Sequence, residues 1–356
     1  MRVHGWQMVA AGRPLEMASR DESAPRAGEA LVEVAGCGIC HTDLGYLDDG
    51  VPTRGPLPLV LGHEISGHVV AVGAGSEALL GRAVVVPAVL PCGACAVCRA
   101  GRGAICRQQI FPGNDVHGGF ASHVKVPTRG LCVVPPLQGA AVDLVELAVL
   151  ADAITTPYQA IRRSGLATGE LAIFVGVGGV GGFGVQIAAA LGATVVAIDV
   201  DDAKLESLRP FGASLALNAK ERDAASMRGA IRDFAKARHL PAVCWKVFET
   251  SGTPAGQELA FGLLGPGGYL GVVGFTPKPV TVRLSNLMAF DARAEGNWGC
   301  APELYPDALA LVLAGKVVLR PFIERRPMSQ VADALDAIRQ KRAKSRVVLV
   351  PDFAHA

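Results

Sequence analysis

The sequence predicts an α/β chain in two parts: an irregular, barrel-like β domain and a doubly wound parallel sheet. The first observation is a set of short runs, EALVEVAGCG, ISGHVVAVG, GRAVVVPAV and HGGFASHVKV, divided by glycine and proline turns. The second is a change of pattern at residue 171. LAIFVGV is a continuous apolar strand, GVGGVG a glycine turn, VQIAAALG a helix and TVVAID a second strand. The third is the alternation of helices and strands through AVCWKVFETSG and ELAFGLLGPGGYLGVVGF to about residue 275.

Two amphipathic helices, PELYPDALALVLAGKV and SQVADALDAIRQ, and a last strand, RVVLVPD, then return the chain to its first domain. The expected division is 1–153, 154–296 and 297–356, with a loop lobe at 91–107. A helix-rich passage is expected over residues 141 to 163.

Length and composition narrow the function classes. A chain of 356 residues can bury two cores. Half of its residues are hydrophobic and 19% charged, which fits a folded soluble protein. The net charge is +2 with no basic block, so neither nucleic acid nor a membrane surface is an expected partner. MRVHGWQMVAAGRPLEM lacks the apolar core of a secretory signal, and a cytoplasmic location is expected.

Four of the nine cysteines crowd into PCGACAVCRAGRGAIC: Cys92, Cys95, Cys98 and Cys106. Cysteines three apart would close strained disulfide rings, and the reducing compartment opposes them. Four thiolates fill a tetrahedral zinc and leave no open position, so this zinc is expected to be structural.

Gly176, Gly178 and Gly181 match G-x-G-x-x-G, with Gly179 and Val180 inside the motif. The pattern follows a strand and opens a helix, so a pyrophosphate can rest on the helix N-terminus. Asp199 closes the next strand. It can accept hydrogen bonds from both hydroxyls of an adenosine ribose and would repel a 2′-phosphate, so NAD is expected over NADP.

Gly38-Ile39-Cys40-His41-Thr42-Asp43 and Gly62-His63-Glu64 bring together a thiolate, imidazoles and carboxylates. Such a set can hold a catalytic zinc with one open position, and the Thr42 hydroxyl can pass on a substrate proton. Cys37 and Cys40 stand at C-x-x-C spacing, and either can be the ligand. Asp152, in LADAITTPY, is either a helix N-cap or a third ligand.

GICHTD, GHE, the four-cysteine lobe, GVGGVG and Asp199 stand in an order that resembles the zinc-dependent medium-chain alcohol dehydrogenases over essentially the whole chain. The resemblance implies a GroES-like catalytic domain, a Rossmann coenzyme domain, two zinc ions per chain, NAD and a homotetramer or dimer. It implies Cys40, His63 and Asp152 as the catalytic zinc ligands, although many members carry a third cysteine where Asp152 stands. Glu64 is implied beside the metal, and Asp43 as the group that orients His63. Thr42 is implied as the hydroxyl on the substrate oxygen, and His41, Lys204 and Arg346 as cofactor contacts. Many members place a histidine three residues after this threonine; here it is Gly45, so the proton is expected to leave by another route, through the ribose hydroxyls and water.

HGWQMVAAG, VAGCGICHTDLG and FPGNDVHGGFASHV are most similar to members that oxidise 6-hydroxycyclohex-1-ene-1-carbonyl-CoA in anaerobic aromatic degradation. That implies a CoA thioester substrate and a 6-oxo product; because such an enone accepts water, a side hydratase activity with Glu64 as candidate base is a further expectation. Alternative expectations are a general dehydrogenase of small secondary or aromatic alcohols, and an NAD-binding relative without catalysis. The complete set Cys40, Thr42, His63 and Asp152 speaks against the last.

Overall fold

The computed structural model describes residues 1–353. The chain forms two compact units. The first comprises Met1–Thr155, Gly299–Leu313 and the chain from Leu319 on; the second comprises Thr156–Trp298 and Ala314–Val318. Among the described residues no helix is long and apolar enough to cross a membrane.

The first unit is an irregular β domain. Its larger sheet has seven strands, in the order Ile323–Pro327, Arg346–Val350, Glu29–Gly38, Glu64–Val72, Ala83–Val86 and Cys132–Val133, with His123–Pro127 also on Glu29–Gly38. Glu29–Gly38 is apolar at most positions because it runs through the middle of this sheet, and its last three residues are buried. A small sheet adds Glu16–Asp21, Arg2–Met8 and Leu59–Val60.

One register decides the site. Gly38 pairs with Glu64 and Cys37 with Ile65, while Val348 pairs with Gly38 from the other side. Cys40 and His63 therefore lie just past the paired ends of neighbouring strands. Within the core, Val32, Cys37, Leu61, Ile65, Phe120 and Val347 pack with no or almost no exposure.

The passage at 141 to 163 is not one helix. A 3₁₀ turn at Glu146–Ala151 stops at Asp152, whose φ of −142° and ψ of −57° break the helical path, and the helix resumes at Thr155–Ser164. Thr155 Oγ1 donates to the Ala151 carbonyl at 3.2 Å and closes the break.

The second unit carries a six-stranded, wholly parallel sheet. Its order is Ala213–Asn218, Thr194–Asp199, Leu171–Val175, Lys246–Glu249, Tyr269–Val272 and Arg293–Gly296. Leu171–Val175 is buried throughout, as its unbroken apolar sequence demands. Strand order reverses between it and Lys246–Glu249, the place where such sheets bind dinucleotides. Gln186 exchanges two hydrogen bonds with the backbone of Val318, which ties the Ala314–Val318 piece to this unit.

Candidate metal and cofactor sites

The helix His41–Leu47 starts at Cys40, and the start is held by Asp43. Asp43 Oδ2 accepts the Cys40 N–H at 2.9 Å and Oδ1 accepts the Gly62 N–H at 3.2 Å. One fully buried carboxylate thus ties the cysteine loop to the histidine loop. Gly62 must be glycine: its φ is +91°, and a Cβ there would lie 2.6 Å from the Phe120 ring.

Cys40, His63, Glu64 and Asp152 each offer a ligand atom, all within 4.8 Å of one another. Asp152 Oδ2 lies 3.8 Å from Cys40 Sγ and 3.7 Å from His63 Nε2. A tetrahedral zinc would place a carboxylate oxygen roughly 3.4–3.6 Å from a nitrogen or sulfur ligand, so the two Asp152 separations need to close by only a few tenths of an ångström. His63 Nδ1 is buried without a hydrogen-bond partner and faces Asp43 Oδ1 at 3.7 Å, just beyond hydrogen-bond reach. Nε2 is therefore the atom turned to the other ligands, and Nδ1 the one turned to its orienting carboxylate.

Burial pulls the His63 imidazole down, yet Asp152, Asp43 and Cys40 together push it well above its ordinary value. The pocket is negative and calls for a cation, and its donor set fits zinc. Of the C-x-x-C pair, only Cys40 joins the cluster. Cys37 is wholly buried, and burial first and Asp43 second push its thiol up. Asp152 stands at the end of the 3₁₀ turn, with its carboxylate among the cluster atoms.

Glu64 and Arg346 meet each other here. Glu64 is wholly buried: Oε1 accepts the Ala153 N–H at 3.1 Å and a bond from Arg346 Nη2, while Oε2 accepts from Arg346 Nε at 2.7 Å. The expected hydratase side reaction would need this carboxylate to act as base while it is held by Arg346. Arg346, expected at cofactor phosphates, spends Nε and Nη2 on Glu64, and its side chain is 6% exposed. That pairing was hidden because the partners are 282 positions apart in the chain.

Thr42 is half-buried, with Oγ1 3.6 Å from Cys40 Sγ. His41 is exposed. A Cβ at Gly45 would meet only Val51 Cγ2, at 3.6 Å, and position 45 itself offers no group to continue a relay from Thr42.

In the lobe, Cys95 Sγ lies 3.4 Å from Cys98 Sγ and 3.8 Å from Cys106 Sγ, and Cys92 Sγ 3.9 Å from Cys98 Sγ. Zinc–sulfur bonds of about 2.3 Å set tetrahedral sulfurs about 3.8 Å apart, so the four thiols fit a closed zinc site. The Cys92 and Gln108 N–H groups point at Cys106 Sγ, at 3.5 and 3.3 Å. Backbone donors at Ala94 and Cys95 draw the Cys92 thiol down to about 6, toward the metal-binding thiolate.

In the second unit, a Cβ at Gly176 would lie 2.4 Å from Ser251 Cα and one at Gly181 2.0 Å from the Gly176 carbonyl. A Cβ at Gly178 would meet nothing within 4 Å. The first and last glycines let the turn close; the middle one leaves space for a pyrophosphate. Gly179 is exposed and Val180 caps the helix Gly181–Ala190. Asp199 accepts the N–H groups of Val177 at 2.7 Å, Val200 at 2.8 Å and Asp201 at 3.1 Å. Its oxygens keep lone pairs for ribose hydroxyls, and Lys204 is half-buried nearby in sequence. The residues missed from sequence are Glu249, Thr250 and Ser251, which back the glycine turn. The available signal was a carboxylate directly after the apolar pair Val247-Phe248, at the end of a strand.

The chain is similar to known zinc-binding dehydrogenases. Residues 26–136 match the alcohol dehydrogenase GroES-like domain, and residues 179–314 match the zinc-binding dehydrogenase domain. An alcohol dehydrogenase of Geobacillus stearothermophilus is 30% identical over 342 residues, covering 96% of this chain and 97% of that protein. Galactitol 1-phosphate 5-dehydrogenase of Escherichia coli (strain K12) is 29% identical, over 91% of this chain and 92% of that protein. Among solved structures, galactitol-1-phosphate dehydrogenase from Escherichia coli superposes with a TM-score of 0.86 at 26% identity, over 98% of this chain and 100% of that one. A protein of Sinorhizobium meliloti 1021 described as a zinc-binding dehydrogenase and bound to NADP superposes with a TM-score of 0.85 at 26% identity, over 99% of this chain and 100% of that one.

Proposed function

The chain belongs to the zinc-dependent medium-chain alcohol dehydrogenase family, and from that premise we propose that it oxidises a secondary alcohol to a ketone with NAD as acceptor. The observation that carries the reading is the convergence of Cys40, His63 and Asp152 beside the Thr42 hydroxyl. When bound, zinc supplies a Lewis acid that lowers the pKa of the alcohol oxygen, and NAD accepts the hydride.

The chain's own residues do the rest. Cys40, His63 and Asp152 would hold the catalytic zinc, and Asp43 keeps their two loops in register. Thr42 Oγ1 accepts the alcohol proton and, with glycine at position 45, would pass it on by another route, through the cofactor's ribose hydroxyls and water. Cys92, Cys95, Cys98 and Cys106 would hold a second, structural zinc. The glycine turn with Asp199, and His41 and Lys204, would hold the cofactor. Asp199 favours NAD because its carboxylate would repel a 2′-phosphate.

For the substrate we propose a ring alcohol conjugated to a CoA thioester, supported by the three sequence stretches named above. A second reading, a general or polyol dehydrogenase, is favoured by the similarity to the Geobacillus and Escherichia coli enzymes. Formation of NADH at 340 nm separates them. Turnover of 6-hydroxycyclohex-1-ene-1-carbonyl-CoA alone supports the thioester. Equal turnover of cyclohexanol or benzyl alcohol removes it and leaves the general enzyme. Faster reduction of NADP than NAD overturns the reading of Asp199.

A further inference from the structure

Glu249 ends the strand Lys246–Glu249 on the second unit's parallel sheet and has no solvent exposure. Its Oε1 accepts three bonds, from the Ser251 N–H at 2.8 Å, the Ser251 hydroxyl at 2.6 Å and the Gly252 N–H at 3.1 Å. Its Oε2 is buried with no hydrogen-bond partner and sits under Gly274, where a Cβ would come within 2.7 Å of it. A buried carboxylate is costly, and burial raises this one above its ordinary value while the Ser251 and Gly252 donors draw it back.

What rests on it is the turn opposite the glycine motif. Thr250 Oγ1 donates to the Gly176 carbonyl at 2.5 Å and the Thr250 N–H to Val175 at 2.9 Å. Ser251 is so close to Gly176 that a Cβ there would meet its N, Cα and Cβ within 2.6 Å. The Glu249 carbonyl accepts the N–H groups of Val273 and Gly274, at 2.9 and 3.0 Å, so the next strand end hangs from the same residue. These strand ends flank the point where the sheet reverses its order, the place of a dinucleotide.

We propose that Glu249 is a positioning residue of the cofactor site: through Ser251 and Gly252 it fixes the turn on which Gly176 leans, and so sets the affinity for the dinucleotide. Alcohol binding does not depend on it. The inference rests on the dinucleotide-binding reading of this unit.

The test is fluorescence titration of NADH into the full, zinc-loaded chain, with Glu249→Gln, Ser251→Ala and the double variant beside the wild type. Glu249→Gln should raise the NADH Kd about tenfold, and Ser251→Ala about threefold. The double variant should be no weaker than Glu249→Gln alone, because both remove one link. KM for NAD should rise while KM for the alcohol holds. A wild-type Kd in Glu249→Gln overturns the proposal, as does an additive double variant. If Glu249→Gln fails to fold, Ser251→Ala decides alone, and an unchanged Kd there overturns it. Absence of NADH binding by the wild type would instead remove the dinucleotide reading itself.

Discussion

Arg346 grips the carboxylate of Glu64 through Nε and Nη2, with both side chains out of solvent and with Glu64 directly following His63 in the chain. The pair joins the last strand to the strand that opens at the metal cluster. Its energetics are those of a buried ion pair. The guanidinium and carboxylate forfeit hydration, and their mutual bonds plus the Ala153 N–H offset that loss.

Removing one partner leaves a buried charge alone. Arg346→Met is therefore expected to lower stability by about 3–5 kcal/mol, and Glu64→Gln with Arg346→Met to recover at least half of that. Urea denaturation of the two variants reads this directly. Equal stability of single and double variants would show that the pair is not coupled. NADH affinity measured in the double variant asks whether Arg346 also serves cofactor phosphates, which its spent Nε and Nη2 argue against.

The lobe depends on metal because its own apolar content is small: among its residues only Gly103, Ala104 and Cys106 are buried beyond its first residue, Pro91. Cys95→Ser removes one of four thiolates and should release roughly one zinc per chain, measured by atomic emission. Trypsin should then cut at Arg99, Arg102 or Arg107 sooner than in the wild type. A zinc content equal to the wild type's would remove the structural-zinc reading of this lobe.

How much of this was readable depends on distance along the chain. The cysteine lobe and the strand, glycine turn and helix at 171–190 are local patterns: the four cysteines lie together, and the strand and helix are found, with the helix starting earlier, at Gly181. Asp152 supported two readings because its surroundings are set by a cross-strand register, Gly38 against Glu64, that no local pattern encodes. Arg346 and Glu64 lie far apart, so a basic residue near the C-terminus had no visible partner. Glu249 stood in plain view, but a single carboxylate at a strand end does not say what it holds until the Ser251 turn is folded beneath it.

The glycines of the nucleotide turn should separate by role. Gly178→Ala places a methyl in open space, so the fold is expected to stand, with a thermal midpoint close to the wild type. The methyl then meets the pyrophosphate, and the NADH Kd should rise about tenfold or more. Gly181→Ala drives a methyl into the Gly176 carbonyl and should instead cost about 1–3 kcal/mol of stability. A Gly178→Ala protein with wild-type affinity would place the pyrophosphate elsewhere.

His117 gives the first unit an acid-side weakness. Its Nδ1 accepts the Val60 N–H at 3.2 Å, and burial first and Arg20 second bring the imidazole down to about 4, with Glu22 opposing them. The folded state therefore keeps His117 neutral while the unfolded chain protonates it near its ordinary value of about 6.5. Below that pH the unfolded state holds the extra proton, so stability is complete above about 6.5 and falls as pH drops toward 4. The full shift would correspond to roughly 3 kcal/mol, and solvent screening of a half-buried ring reduces it to about 1–2 kcal/mol. His117→Asn keeps an acceptor for Val60 without the titration. Its stability should therefore fall less steeply than the wild type's between pH 6.5 and 4 in urea denaturation. Parallel curves for the two proteins would mean that His117 titrates at its ordinary value in the fold.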